Sequence, residues 1–334
     1  MADTQFDVLT IGNAIVDVFA PIDPEFLARE GLTEGIMHLV DAERSAYLYE
    51  RMPDNKRQIS GGSSANTAAG VASMGGRAAF IGKVAADPLG EVFADDLRSL
   101  GVHYSIAPLG EGPATARSMI LISPGGERTM NTYLGACHQL TAEDIKEEEI
   151  AAATLTYMEG YLWDPGEAKK AFVAAAHFAH KHGRTTSFTL SDPFCVKRYR
   201  DEFLELMRSG TIDYVFANVE EAKSLYQTDS LHEAVQAIAR DCRLAAITMG
   251  AQGAMAVTNG EVVTVPAFPV AQVVDATGAG DLFASGFLLA MARGRDIQTA
   301  LSAGCLAASE VISHIGARPV LDLGELAREH RVAI

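Results

Sequence analysis

From about residue 155 onward the chain alternates short β-rich runs with helical patterns, and this rhythm restricts the fold more than any other feature. Thr154 to Glu159 precedes a helical pattern over Glu167 to His182, Thr186 to Leu190 precedes Arg198 to Met207, and Tyr214 to Ala217 precedes Glu220 to Tyr226. Ala245 to Thr248 continues the series, while Phe6 to Ile11 and Ala78 to Ile81 supply further strands. Strands separated by helices favour a mostly parallel sheet, doubly wound with helices on both faces, whose ligands sit beyond the carboxyl ends of the strands. With 334 residues and 48% hydrophobic composition the chain can bury a large core.

Two regions break the rhythm, roughly residues 15–59 and 107–133. In the second, Thr115 to Ile122 and Thr129 to Tyr133 have the pattern of a hairpin around Pro124-Gly125-Gly126. Both segments are expected to form a small β-rich lid inserted into the main body. No internal repeat, low-complexity tract or Pro/Gly/Ser-rich linker divides the chain, so a single α/β domain over 1–334 is expected.

The formal net charge is -16, from 27 basic and 43 acidic groups. Such a balance opposes a general nucleic-acid surface and requires local positive sites for any anionic substrate. No window approaches a membrane span, and Met1 to Asp7 is polar and acidic rather than a signal peptide, which points to a cytoplasmic protein. Cys137, Cys195, Cys242 and Cys305 form no Cys-x-x-Cys pair and read as reduced thiols. His177, His180 and His182 lie on one predicted helix, but His177 and His180 alone share a face, so a helix surface is favoured over a metal site.

The densest chemistry is in Asp275-Ala276-Thr277-Gly278-Ala279-Gly280-Asp281-Leu282-Phe283. Val262 to Val265 and Val273-Val274 are extended in character, whereas Leu282 to Ala292 carries apolar residues at helical spacing. Gly278 and Gly280 are therefore expected in a loop that opens a helix. Unpartnered N–H groups and the positive dipole end attract an anion there, and glycine leaves no side chain in the way. Asp281 places a carboxylate where a phosphate would bind. That suits a base that deprotonates an attacking hydroxyl while the N–H groups stabilise a transferring phosphoryl group, and equally suits an ordinary N-cap. Other phosphate devices fail: a dinucleotide fingerprint needs Gly where Phe283 stands, and a Walker loop ending at Gly82-Lys83 needs Gly for Arg77 and Ser or Thr for Val84.

Asn13 and Asp17 follow the first strand, and both can bond hydroxyls. Ser60-Gly61-Gly62-Ser63-Ser64-Ala65-Asn66 leads into a small-residue helix over Thr67 to Met74, with glycines that allow close backbone approach. Together they could hold the diol of a sugar ring, or be turns and caps. Asn218-Val219-Glu220-Glu221 has the capping-box pattern, and Glu221 could equally position Mg²⁺ through water beside Asn218. Thr248, Gly250 and Gly253 follow a strand in a way that suits nucleotide phosphates or a plain turn.

These pieces, in this order and across nearly the whole chain, resemble the PfkB or ribokinase-like family of ATP-dependent kinases. Gly61-Gly62 through Gly90 resembles its amino-terminal signature, and Asp-x-Thr-Gly-Ala-Gly-Asp at 275–281 its more specific carboxyl-terminal one. The resemblance implies a ribokinase-like fold, Asp281 as catalytic base, and an anion hole over Gly278, Ala279, Gly280 and Asp281. It also implies that Asn218 and Glu221 serve nucleotide and Mg²⁺, that Thr248, Gly250 and Gly253 line the ATP site, and that His314 and Gly316 lie near the adenine. Carbonyls around Asp275 and Thr277 would hold the monovalent cation, such as K⁺, that many members use.

Within the family the chain is similar to adenosine kinases, in Gly12-Asn13-x-x-x-Asp17 with Phe26-Leu27 and Gly31-Leu32, and in Thr189-Leu190-Ser191-Asp192-Pro193-Phe194. Asp192 stands where those carry a small residue, and either bonds substrate or caps a helix. Asn13, Asp17, Gly61, Gly62, Ser63, Asn66, Asp192 and, from the lid, Arg128 are the candidates for substrate contacts. The expected reaction is phosphoryl transfer from ATP to the 5′-hydroxyl of adenosine or a related nucleoside. A kinase of ribose, fructose or 2-keto-3-deoxygluconate is the alternative, and a catalytically silent ligand-binding regulator an alternative of another class. An apolar wall from Ile15, Phe19, Met37 and Phe194 would favour a nucleobase. Lid edges make either a monomer or a lid-mediated homodimer compatible with the sequence.

Overall fold

In a computed structural model, residues 4–23 and 25–334 are described; residues 1–3 of the amino-terminal segment read above lie outside them. The strands are β1 (Phe6–Ile11), β2 (Ile15–Pro21), β3 (Met37–Leu39), β4 (Arg57–Gly61), β5 (Ala78–Ile81), β6 (Ala116–Ile122), β7 (Arg128–Tyr133), β8 (Ala153–Glu159), β9 (Thr185–Thr189), β10 (Tyr214–Asn218), β11 (Leu244–Thr248), β12 (Ala254–Thr258) and β13 (Glu261–Val265). Among the described residues they form an eight-stranded sheet, β13-β12-β11-β10-β9-β8-β1-β5, and a five-stranded sheet, β3-β7-β6-β2-β4.

In the large sheet β5 through β11 run parallel, and β12 and β13 are an antiparallel extension. Every residue of β1 is buried, as befits a central strand covered on both faces. The chain leaves β1 to β5 on one side and to β8 on the other, so strand order reverses at β1. A crevice at such a switch point, beyond the strands' carboxyl ends, is where doubly wound sheets bind ligands. Gly12-Asn13 at the end of β1 and Glu159 at the end of β8 stand there. The helix 279–292 packs on both 63–73 and 297–311 beside this point.

The small sheet draws its strands from the two segments that broke the rhythm. β6 and β7 form the expected hairpin, closed by Ser123 N–H on Glu127 O at 2.9 Å and Gly126 N–H on Ser123 O at 2.8 Å. Burial along β2 alternates, with Val16, Val18 and Ala20 fully buried and Ile15, Asp17 and Phe19 on the other, more open face.

Three local expectations shift. The helix after the glycines starts at Ala279, not Leu282, because Gly278 takes the left-handed N-cap conformation (φ 81°) and so turns the chain earlier. The helix after Gly62 starts at Ser63, so Asn66 lies inside it. Val273-Val274 is not a strand: Val274 N–H donates to Ile312 O at 2.8 Å, drawing this stretch onto the end of the helix 297–311.

Candidate active site

Asp281 sits in the first turn of the helix 279–292. Its carboxylate is gripped from the helix 63–73: Ser63 Oγ donates to Oδ1 at 2.6 Å and Asn66 Nδ2 to Oδ2 at 2.8 Å. Thr67 Oγ1 also donates to the Asp281 carbonyl at 3.2 Å, so the two helix starts are fixed to each other. Burial raises the Asp281 pKa, against the bonds from Ser63 and Asn66 and the charge of Arg318. Gly278 cannot be replaced without strain, since a Cβ would meet Ala317 Cα at 2.7 Å, whereas a Cβ on Gly280 would meet nothing within 4 Å. Space at Gly280 is thus open to a ligand. Of the four residues expected to cradle an anion, Ala279 spends its N–H on Ala276 O at 3.2 Å.

Asn13, Asp17, Gly61 and Gly62 converge opposite Asp281. Asn13 is buried and its side chain donates to Glu159 Oε1 at 2.6 Å; its Oδ1, like that of Asn66, is buried without a partner among the described residues. Two orphaned buried acceptors are what a polyol's hydroxyls would satisfy. Gly61 lies so close to Asp17 that a Cβ would stand 2.3 Å from its Oδ2, and a Cβ on Gly62 (φ 94°) would stand 2.3 Å from Asn13 O. Burial pushes the Asp17 pKa up to about 7, with Arg318 and Arg128 pulling down and Asp281 pushing up.

Arg128 reaches across from the small sheet: its Nη1 lies 2.8 Å from Asp275 Oδ2. The same oxygen accepts Gly316 N–H at 2.8 Å, and Oδ1 accepts Thr277 N–H at 3.1 Å and its hydroxyl at 2.7 Å. Burial opposes ionisation of Asp275, but these bonds and Arg128 outweigh it and hold the pKa low. Gly316 is thereby tied to the glycine loop. Beside Arg128 runs an apolar row set by strand register, Phe19 opposite Ile120, Ile120 opposite Met130, Met130 opposite Met37, on the face that carries Asp17. Of the four residues read as an apolar wall, Phe19 and Met37 lie in this row with Ile120 and Met130, which were not foreseen; Ile15 lies on the same face of β2, and Phe194 is 80% exposed.

The remaining candidates line the adjoining strand ends. Asn218 and Thr248 are register partners on β10 and β11, with Gly250 (φ 58°) and Gly253 (φ 97°) just beyond. Gly253 has a structural reason as well, because a Cβ would meet Val265 O at 2.1 Å. Asn218 and Glu221 form the capping box in full: Asn218 Nδ2 and N–H donate to the two Glu221 oxygens at 2.6 and 2.9 Å, and Glu221 N–H returns to Asn218 Oδ1 at 2.8 Å. Burial, and less strongly the nearby Asp192, raise the Glu221 pKa to about 7. Asp192 itself caps the helix 193–208, accepting Cys195 N–H at 2.7 Å. His314 Nε2 is within 3.2 Å of Glu310 Oε1, which ties the ring back to the end of the helix 297–311.

No cluster of three His, Cys, Asp or Glu is found among the described residues, His177 and His180 included. Glu221, with both oxygens already accepting, fits Mg²⁺ through water and not as a direct ligand. Asp275 already pairs with Arg128, so a monovalent cation there would rest on backbone carbonyls. No helix among the described residues is long and apolar enough to cross a membrane.

Two residues central to this geometry carried no expectation. Glu159, 1% exposed, accepts Asn13 N–H at 2.9 Å and Ser64 N–H at 2.7 Å besides Asn13 Nδ2, and burial raises its pKa to about 7. Its signal was available: an acid ending an otherwise apolar strand, Leu155 to Glu159. Arg318 bonds Ser60, 258 residues away, and no local pattern announces that contact.

A doubly wound sheet whose switch point holds an anchored aspartate at a glycine-opened helix, faced by a second sheet, defines a ribokinase-like sugar or nucleoside kinase. The chain belongs to the pfkB family of carbohydrate kinases, whose model matches residues 37–322, and it is an ATP-dependent kinase. The adenosine kinase of Sinorhizobium meliloti is 53% identical in sequence, with a TM-score of 0.90 over 98% of this chain and 99% of that one. A protein described as a probable sugar kinase from Rhizobium etli CFN 42 is also 53% identical, with a TM-score of 0.91 over 99% of this chain and 100% of that one. The adenosine kinase of Saccharomyces cerevisiae is 27% identical over 331 residues, covering 92% of this chain and 95% of its own.

Proposed function

We propose that the protein transfers the γ-phosphoryl group of ATP to the 5′-hydroxyl of adenosine or a closely related nucleoside. The observation that carries this is the shared face of the small sheet: Asp17, for hydroxyls, beside the Phe19-Ile120-Met130-Met37 row, for a nucleobase. A free sugar would leave that row without a partner. Asn13, Asp17, Gly62 and Asn66 would hold the ribose, with the orphaned Oδ1 atoms of Asn13 and Asn66 accepting from its hydroxyls. Similarity to adenosine kinases at 53% identity supports the same assignment.

Asp281, fixed by Ser63 and Asn66, would take the proton of the 5′-hydroxyl as it attacks. N–H groups of the helix start, with Gly280 leaving space, would meet the charge that develops on the transferred group. The small sheet would act as a lid that excludes water, latched by Arg128 on Asp275. Magnesium, held through water at Glu221, would supply neutralisation of phosphate charge. Asn218, Thr248, Gly250 and Gly253 would face the nucleotide phosphates.

The test is ATP-dependent phosphorylation of a panel of adenosine, guanosine, inosine, ribose, fructose and 2-keto-3-deoxygluconate. Adenosine should be the preferred acceptor by kcat/KM. Preference for a free sugar would replace this assignment with the second one, which the similarity to the Rhizobium etli protein supports; absence of transfer to every acceptor would leave a binding protein.

A further inference from the structure

Arg318 lies in the loop after the helix 297–311, half-buried, with its guanidinium turned inward. Nη1 donates to Ala65 O at 2.6 Å, while Nη2 donates to Ser60 O at 2.9 Å and Ser60 Oγ at 2.7 Å. Ser60 in turn gives its N–H to Asp96 Oδ2 at 3.0 Å. Each anchor stands one residue from a site acid's neighbour. Ser60 precedes Gly61, whose backbone presses on Asp17, and Ala65 precedes Asn66, which bonds Asp281.

We propose that Arg318 is a positioning residue that clamps the Ser60–Gly62 turn to the start of the helix 63–73 and sets a fixed positive charge beneath both Asp17 and Asp281. The fork geometry of a guanidinium suits the first task, since three neutral oxygens on two segments accept from all three of its nitrogens, Nε included at 3.3 Å from Ser60 O. The second follows because the three acceptors are neutral, so the charge of the cation acts on the carboxylates around it, Asp96 first and then Asp17 and Asp281. Burial brings the arginine's own pKa down to about 10, and Asp96, Asp17 and Asp281 counter that fall. It stays charged at neutral pH. The two acids face each other; Arg128 from β7 also faces Asp17, and Tyr157 from β8 and Tyr161 just beyond it face Asp281, with Glu159 next in line behind Tyr157.

The inference rests on the proposed function for its place in a reaction, but its test does not need turnover. Carboxyl-carbon NMR of the full chain, with Asp17 and Asp281 assigned through D17N and D281N, follows both titrations in wild type, R318M, R318Q and R318K. In R318M and R318Q both titrations should move about one pH unit or more upward, the scale expected from losing a nearby opposite charge. In R318K they should stay within a few tenths of wild type, while the acceptor KM rises because an ammonium cannot span Ser60 O, Ser60 Oγ and Ala65 O. Unmoved titrations in R318M and R318Q, or an equal upward move in R318K, would overturn the proposal; if the neutral variants do not fold, R318K alone decides by the same criterion. Wild-type protein that phosphorylates no acceptor, with titrations moving as expected, would sink the proposed function and leave the electrostatic role of Arg318 standing.

Discussion

Arg128 and Asp275, 147 residues apart in sequence by their numbers, meet at 2.8 Å and join the small sheet to the glycine loop. Asp275 satisfies its other lone pairs with Thr277 and Gly316 N–H, so the loop is shaped before the arginine arrives. Nη2 of Arg128 is buried without a partner among the described residues, a donor left over for something that enters the crevice. R128M should therefore affect function more than stability. Turnover is expected to fall about 10- to 100-fold, as when closure leaves reacting groups slightly misplaced. Stability should fall by less than the roughly 3–5 kcal/mol typical of breaking a buried pair, because Asp275 keeps its N–H donors. Steady-state kinetics and urea unfolding decide; unchanged turnover with a large stability loss would make the pair a structural strut.

D281N should bind adenosine and ATP with near-normal affinity and lose roughly 10²- to 10⁴-fold in kcat, the usual contribution of a positioned base. Wild-type kcat should rise with pH through the elevated pKa of Asp281, since the base must be ionised, and D281N should lack that limb. Calorimetric binding together with a pH–rate profile tests both halves. Turnover within tenfold of wild type would remove Asp281 as the base.

Stability should run the other way with pH. Burial raises Asp17, Glu159 and Glu221 each to about 7 in the folded chain, against about 4 for exposed carboxyls. Between these values the native state binds more protons than the unfolded state, so the stability these groups contribute is present below about pH 4 and is lost as pH rises through about 7. Urea midpoints of the ligand-free protein should decline from pH 5 to 8, and D17N should flatten the decline. An unaltered slope in D17N would show that Asp17 titrates elsewhere.

Gly278 and Gly280 separate folding from function. Gly278 is left-handed (φ 81°) and a Cβ would collide with Ala317 Cα, so G278A should cost about 1–3 kcal/mol along with activity. Gly280 is in the first turn of a helix with open space at its Cβ, so G280A should leave stability unchanged or raise it by up to about 1 kcal/mol. If an anion approaches the Gly280 backbone, G280A nonetheless loses turnover. Full activity in G280A would place the transferred group elsewhere.

The parallel sheet and the hairpin at Pro124-Gly125-Gly126 were legible because period and turn chemistry are local. So was the partnership of Asn218 with Glu221, a three-residue spacing with one geometry. The start of the helix at Ala279 was misplaced because Gly280 weakens the helical pattern while the N-cap is set by the conformation of Gly278. Arg318 and the apolar row were invisible for another reason: Arg318 meets Ser60 and Ala65, and Ile120 and Met130 join Phe19 and Met37 into one row, through contacts between segments far apart in sequence. Glu159 lay between, announced by its strand but assigned a role by Asn13 and Ser64, which the fold brings to it.

The apolar row yields the sharpest statement about substrate. Phe19 neighbours Asp17 on the same face of β2, and the Arg128 guanidinium carbon lies 5.9 Å from its ring centroid, so the ring borders both the acid and the latch. If a nucleobase packs there, F19A removes apolar contact from the base and none from the ribose. Losing a large buried aromatic contact, about 1.5–3 kcal/mol if the ring is fully covered by ligand, corresponds to roughly 10- to 150-fold in kcat/KM for adenosine. Any residual transfer to free ribose should be nearly unchanged, because in the proposed arrangement ribose would reach Asn13, Asp17 and Asn66 but not the row. Competition between adenosine and ribose in wild type and F19A measures the difference directly. An equal loss for both acceptors would mean that Phe19 shapes the closed lid and does not read the base.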